Sequence, residues 1–404
     1  ALAAELPRKL ALAYEEAGRP AEAAAEFVRI SDSAAESLEL RREALLHAAD
    51  LYGQAQLPAR EAQTLAVFVE RYPTPMPPAL EARQRLADLA ASAGDEALRQ
   101  RWLREIVAAE KAGADARNDR TRTLAARATL ALAAAPRDRF QAIALKAPLK
   151  SSLAAKRKAL EQALAAYQSA AAYGVVEVTT LATFESAELY RRLAADLLAS
   201  ERPKGLDADA LEQYTLLLEE QTFPFEEKAI SLHEANAARA GSGVYDYGVR
   251  ASFAALARLK PARFGKVEVH DDAPPPGPVA DAIALAGASR WSEASQLLRQ
   301  ALADPAAPAI VHSELGIVLR NTGEFRDAET AYRAALATDP SYTPAYRNLG
   351  VLLDLYLQDP AGALEQFERH QALLPAPDPL VAAWITELRN RTRAARPAAT
   401  ETSP

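Results

Sequence analysis

The sequence predicts an all-α chain: a solenoid of helical hairpins with a divergent helical block in the middle. Three observations carry that prediction. Half of the 404 residues are hydrophobic, mostly Ala and Leu, while Gly (16) is scarce and β-branched runs are almost absent, a helix-former composition. Apolar residues at helical spacing recur along the chain and are punctuated by Pro. Towards the C-terminus the sequence repeats itself at an interval of 34 residues: Gly316 with Gly350, Leu315 with Leu349, His312 with Tyr346.

The repeat sets the pattern for the rest. Within one unit Leu315, Gly316, Ala328, Tyr332, Ala335 and Pro340 fall where the tetratricopeptide pattern wants them, and Ala294 and Leu298 stand 34 residues before Ala328 and Tyr332. The next unit holds one extra residue, so Pro340 and Pro375 are 35 apart. Small residues let the two helices of a hairpin approach, large ones (Leu315, Tyr332, Phe367) fill the space between hairpins, and Pro ends the second helix. The segment 280–390 therefore resembles tetratricopeptide repeats, with Trp384 and Ile385 capping the last one.

From the N-terminus, "KLALAYEEAGRPAEAAAEFVRI" puts Leu10, Tyr14, Ala23 and Phe27 on the same pattern, and the following stretch does so with Tyr52 and Pro73. Residues 1–113 are expected to form about three degenerate repeats. The block 114–265 reads as helical without repeat marks: one long amphipathic helix over "LKSSLAAKRKALEQALAAYQSAAAYG", a second over "VEVTTLATFESAELYRRLAADLL", a third over 207–223. Pro224 is expected to end the third, and a fourth to begin at "FEEKAISLHE" with Glu226 and Glu227 near its positive end. "KVEVHDDAPPPGPV" at 266–279 reads as a Pro-rich linker, and 391–404 as a disordered tail. The chain starts inside a helical pattern with no Met and no leader, so it is expected to be a piece of a longer protein.

The middle block is similar to a family-specific region of long bacterial tetratricopeptide proteins, among them adventurous gliding motility protein T-like envelope proteins. The resemblance covers about 145–265 and rests on "APLKSSL", "AAYGVVEVTT", "AELYRRLAADLLASERPKGL" and "LLEEQTFPFEEKAI". It implies a scaffold in the bacterial cell envelope, periplasmic or held at the outer membrane, encoded with TolQ/TolR- or ExbB/ExbD-like proton-driven motors. It implies no catalytic residue. The matching positions include Tyr173, Tyr190, Arg202, Pro203, Glu219, Glu220 and Pro224. Phe223, Phe225, Glu226 and Glu227 would be a docking epitope for a motor or TonB-like partner, or else a plug at a helix junction with a capping pair.

Function classes narrow further. The chain has no Cys, which removes disulfides, thiolate metal sites and thiol catalysis. The formal charge of -7 does not suggest nucleic acid as a partner. It hides an asymmetry, because 117–158 holds eleven Lys or Arg against two Asp, and 207–234 eight Asp or Glu against one Lys. The two stretches are expected to neutralise each other, or the basic one to meet an anionic partner. No stretch is apolar enough to span a membrane. The five His include no pair at helical ligand spacing, and no phosphate loop or nucleophile elbow occurs, so no enzyme activity, metal or cofactor is expected.

Partners should be other proteins, held on the concave face of the C-terminal repeats. Aligning the two glycines places Ser313, Ile317, Arg320 and Asn321 there in one repeat, and Arg347, Asn348, Val351 and Asp354 in the next. Arg and Asn there can hold a peptide backbone or a terminal carboxylate. Two alternatives stand: a cell-wall or polysaccharide assembly factor, or an interaction module of a longer chain whose catalytic part lies elsewhere.

Overall fold

The computed structural model describes residues 2–147, 149–271 and 277–394. Among them it is all α-helical, with no strand, in two compact units: 1–182 with 200–205, and 183–199 with 206–404. The border between the units cuts through α10, inside the block 114–265.

In the first unit the helices are α1 (Leu2–Glu16), α2 (Pro20–Asp32), α3 (Leu38–Gln54), α4 (Pro58–Arg71), α5 (Met76–Ser92) and α6 (Glu96–Ala112). They form three antiparallel hairpins, α1/α2, α3/α4 and α5/α6. Pro at the first turn of α2 and of α4 suits a position where the N–H has no helical partner. Leu45, Leu65, Phe68, Leu80 and Ile106 are buried in their shared core. Then come α7 (Asp119–Leu132), α8 (Ala134–Ala142), α9 (Leu149–Ala171) and the start of α10 (Val176–Leu198). Asn118 and Thr121 close a capping box on α7. Small residues let α7, α9 and α10 meet at Ala126, Ala170 and Val178.

The second unit holds the rest of α10, then α11 (Ala208–Ala237), α12 (Tyr247–Leu259), the short α13 (Pro261–Phe264) and three further hairpins. These are α14 (Pro278–Gly287) with α15 (Trp291–Ala301), α16 (Ala309–Thr322) with α17 (Phe325–Thr338), and α18 (Thr343–Leu355) with α19 (Pro360–Leu373); α20 (Pro379–Ala394) closes the stack. The repeat spacing has a direct packing meaning. A Cβ on Gly316 would overlap the Tyr332 ring, and one on Gly350 the Phe367 ring, so only Gly lets each hairpin close. Trp384 lies against Phe367, with ring centroids 5.4 Å apart, and covers the last hairpin. Tyr245, Phe253, Phe325 and Tyr356 form an aromatic knot that ties α12 beneath the repeats.

The expected break at Pro224 does not occur. Helix α11 runs for 30 residues straight through it. The ring costs one hydrogen bond to the Glu220 carbonyl, but Glu220, Phe223 and Pro224 are all exposed, so the lost bond falls on the solvent side of the helix. Two corrections follow. Glu226 and Glu227 lie in mid-helix and cap nothing. Phe223, 62% exposed, plugs no junction, although Phe225 is half-buried and partnered. Residues 272–276, within the expected linker, and the tail from 395 on lie outside the described residues.

Candidate functional site: a groove holding the chain's own extended segment

The concave face of the second unit is built by α16 and α18, the first helices of successive hairpins. Equivalent positions 34 residues apart line it: Glu314 and Asn348, Ile317 and Val351, Arg320 and Asp354. Val351, Asn348 and Asp354 are buried, as are Ser313 and Ile317.

Against Asn348 and Asp354 lie residues 266–271, the first part of the stretch that reads as a linker in the sequence. The segment leaves α13 in extended form and lies along the groove. Its alternate side chains, Lys266, Glu268 and His270, turn to the same side, as the two-residue period of an extended chain requires. Lys266, with a fully buried side chain, places Nζ 2.7 Å from Asp354 and 2.8 Å from Glu387, and donates to the Arg263 carbonyl at 3.0 Å. Arg391 pairs with the same two carboxylates. A buried cation is tolerated here because two carboxylates lie against it and it donates to Glu387 and the Arg263 carbonyl.

Glu268 comes next. Arg320 Nε donates to it at 2.6 Å and the Tyr332 hydroxyl at 2.5 Å. Burial raises the Glu268 carboxyl, and Arg320 and Tyr332 partly offset that. Burial would lower the Arg320 guanidinium, but Glu268 more than reverses this and keeps it charged. Arg320 also stacks over Tyr356, 5.5 Å from its centroid.

The backbone of Val269 is read by one side chain. Its N–H donates to Asn348 Oδ1 at 2.8 Å, and Asn348 Nδ2 donates to its carbonyl at 2.8 Å. An amide is the one side chain that offers donor and acceptor side by side to a peptide unit. Beyond it, His270 Nδ1 lies 2.7 Å from Glu314 Oε2, and that carboxylate raises the imidazole. Tyr342, its phenol raised by burial and then by Asp271, closes this end.

The remaining expected positions do other work. Asn321 bonds to the Ile317 carbonyl of its own helix and accepts from Arg320. Arg347 donates to Asp378 at 3.2 Å and stacks over Trp384 at 5.0 Å, so it braces α20 and does not reach the segment. Sequence reasoning misses Glu314, Tyr332 and the segment itself. The signal for the first was present, since Glu314 stands one repeat before Asn348. The signal for the segment was the alternation in "KVEVHD", two-residue periodicity in an otherwise helical chain.

Two other sites can be weighed. In the second unit Glu188, His233 and Ser252 make an acid–His–Ser set: His233 Nδ1 is 3.3 Å from Ser252 Oγ and Nε2 3.4 Å from Glu188. Burial raises Glu188, but His233 and Arg191 outweigh it and bring its carboxyl to about 2. Ser252 is fully buried and donates to the Gly248 carbonyl, so no substrate reaches it, and the set fastens α11 to α12 and α10. In the first unit the basic stretch 117–158 is partnered locally. Arg120 pairs with Glu81, Arg127 with Glu177 at 2.5 Å, and Lys156 donates to the Phe140 and Ile143 carbonyls. Among the described residues no cluster could hold a metal ion, and no helix is long and apolar enough to cross a membrane.

No protein-family model matches the chain, and no curated protein sequence does. Solved structures do. The type IV pilus biogenesis factor PilW is 19% identical, over 53% of this chain and 96% of that one, with a TM-score of 0.25. Yeast Tom70 is 11% identical, over 97% and 95%, also with a TM-score of 0.25. At these values the likeness does not bear on function, and the fold rests on the hairpin packing described above.

Proposed function

We propose that this chain is a non-enzymatic protein–protein interaction scaffold whose C-terminal hairpins recognise an extended peptide. One observation carries the reading: Asn348 engages both backbone groups of a single extended residue, with charged partners ready on either side. A groove built to satisfy a peptide backbone is a peptide site.

The finer reading places the scaffold in the bacterial envelope, periplasmic or at the outer membrane, alongside a proton-driven TolQ/TolR- or ExbB/ExbD-like complex. Its support is the sequence resemblance of 145–265. The exposed row of Leu216, Leu217 and Phe223 on α11, with Glu219 and Glu220 beside it, would be a second contact surface. The force would come from the motor, and this chain would position its components.

The test is in-cell photo-crosslinking from Asn321 in the groove and, separately, from Phe223. Crosslinks from Asn321 to another protein, lost in Arg320→Glu, are expected; motor or TonB-like proteins among them would support the envelope reading. Crosslinks that never leave the chain would refute the scaffold assignment. Recovery of only cell-wall or polysaccharide synthesis proteins would replace the motor with the assembly-factor alternative.

A further inference from the structure

The groove is already occupied, and its occupant describes the partner. We infer that residues 266–271 are a built-in ligand that masks the groove, and that the external partner is another protein's extended segment carrying a base, an acid and a base or imidazole at alternate positions. The inference rests on the peptide-binding reading above and deepens it.

Three features lead there. First, recognition is repeat-encoded. Asp354 and Arg320, equivalent in successive repeats, take Lys266 and Glu268, while Asn348 and Glu314, again equivalent, take Val269 and His270. Opposite charges at equivalent positions fix both the direction and the register of whatever lies in the groove. Second, the occupant presents side chains to the groove at every other residue and leaves Val267 56% exposed. That is the geometry of a bound peptide and not of a packed core element. Third, the fit is incomplete. Glu314, which takes His270 through Oε2, leaves its buried Oε1 without a hydrogen-bond partner. That atom marks the α16 surface where a longer or better-matched segment would find a further bond.

A tethered occupant is a strong competitor. Its effective concentration is on the order of millimolar. Against a free peptide binding the open groove at about 10 μM, it would weaken apparent affinity about 100-fold.

The experiment uses the full chain and a fluorescent peptide of sequence KVEVHDD, followed by anisotropy. Three proteins are compared: the natural chain, Glu268→Gln/His270→Gln, and that pair combined with Asn348→Ala. The Gln replacements keep side-chain length and remove the charges, and circular dichroism with thermal melting establishes that each protein is folded. The natural chain should bind at least about 100-fold more weakly than the opened variant, and Asn348→Ala should abolish the gain. Equal binding by the natural and opened chains would overturn the mask while leaving the groove a peptide site. No binding by a folded opened variant would overturn the peptide reading itself, and the mask with it. Should the opened variant melt, Glu268→Gln alone replaces it. An intermediate gain, again abolished by Asn348→Ala, is then expected, and binding no tighter than that of the natural chain overturns the mask.

Discussion

Replacing Asn348 with Ala removes the side chain that reads both backbone groups of Val269 in the groove segment. Two hydrogen bonds of 2.8 Å to Val269 disappear. Each is worth about 0.5–1.5 kcal/mol net, so the segment should lose about 2 kcal/mol of docking free energy. Any cost of leaving the docked Val269 N–H and carbonyl unpaired adds to this, so the figure is a lower limit. About 2 kcal/mol is roughly a 30-fold rise in the open population. Hydrogen exchange read by mass spectrometry over 266–271 measures that population directly. Exchange there should quicken roughly 30-fold while α14–α20 keep their protection. Unchanged exchange over 266–271 would refute the claim that Asn348 holds the segment. Equal acceleration throughout the hairpins would show that Asn348 supports the fold and not the occupant.

Four further outcomes are expected. Gly316→Ala should lower stability by about 1–3 kcal/mol, since its Cβ meets the Tyr332 ring; a chemical melt with unchanged midpoint would contradict the packing. Arg347→Glu should lower the melting temperature, because it sets a carboxylate beside Asp378 and strips the cation from Trp384. His270 is raised by Glu314, so its contribution to docking is complete below the ordinary value of 6.5 and is lost as pH rises through the raised one. Competition by a KVEVQDD peptide, whose own docking lacks the imidazole, should therefore succeed more readily at pH 8.5 than at pH 6, and His270→Gln should flatten that dependence. Glu188 is held at about 2, so its stabilisation is present above 4.5 and lost as pH falls towards 2; Glu188→Gln should remove that part of the acid-side loss seen by circular dichroism.

Much of the fold is legible in the sequence because tetratricopeptide packing is local. Gly316 predicts Tyr332 across one hairpin, and the same step predicts Gly350 against Phe367. Pro224 misleads because a proline signals a break only where the freed carbonyl has no water, and α11 turns that face outward. The groove was half legible. Alignment finds Arg320, Asn348 and Asp354, but Arg347 is drawn off by Asp378 and Trp384, partners distant in sequence. The occupant was hidden by its neighbours: the run Pro274–Pro276 makes the whole stretch read as spacer, although "KVEVHD" carries an alternation no helix would use. Long-range pairing of a short polar segment leaves almost no local trace.

The two ends of that segment are fastened unequally. Lys266 has a side chain with no exposure, two hydrogen-bond acceptors and an ion pair with Asp354, and it follows α13 after one residue. His270 has one partner and a side chain 46% exposed. Release therefore has a polarity: the segment loosens at His270 and stays pinned at Lys266. A rival segment would gain its toehold at Glu314 and advance residue by residue towards Asp354. The final step, at the buried lysine, sets how long the exchange takes. Sequence changes near His270 would tune how often exchange begins, and changes near Lys266 how often it is completed.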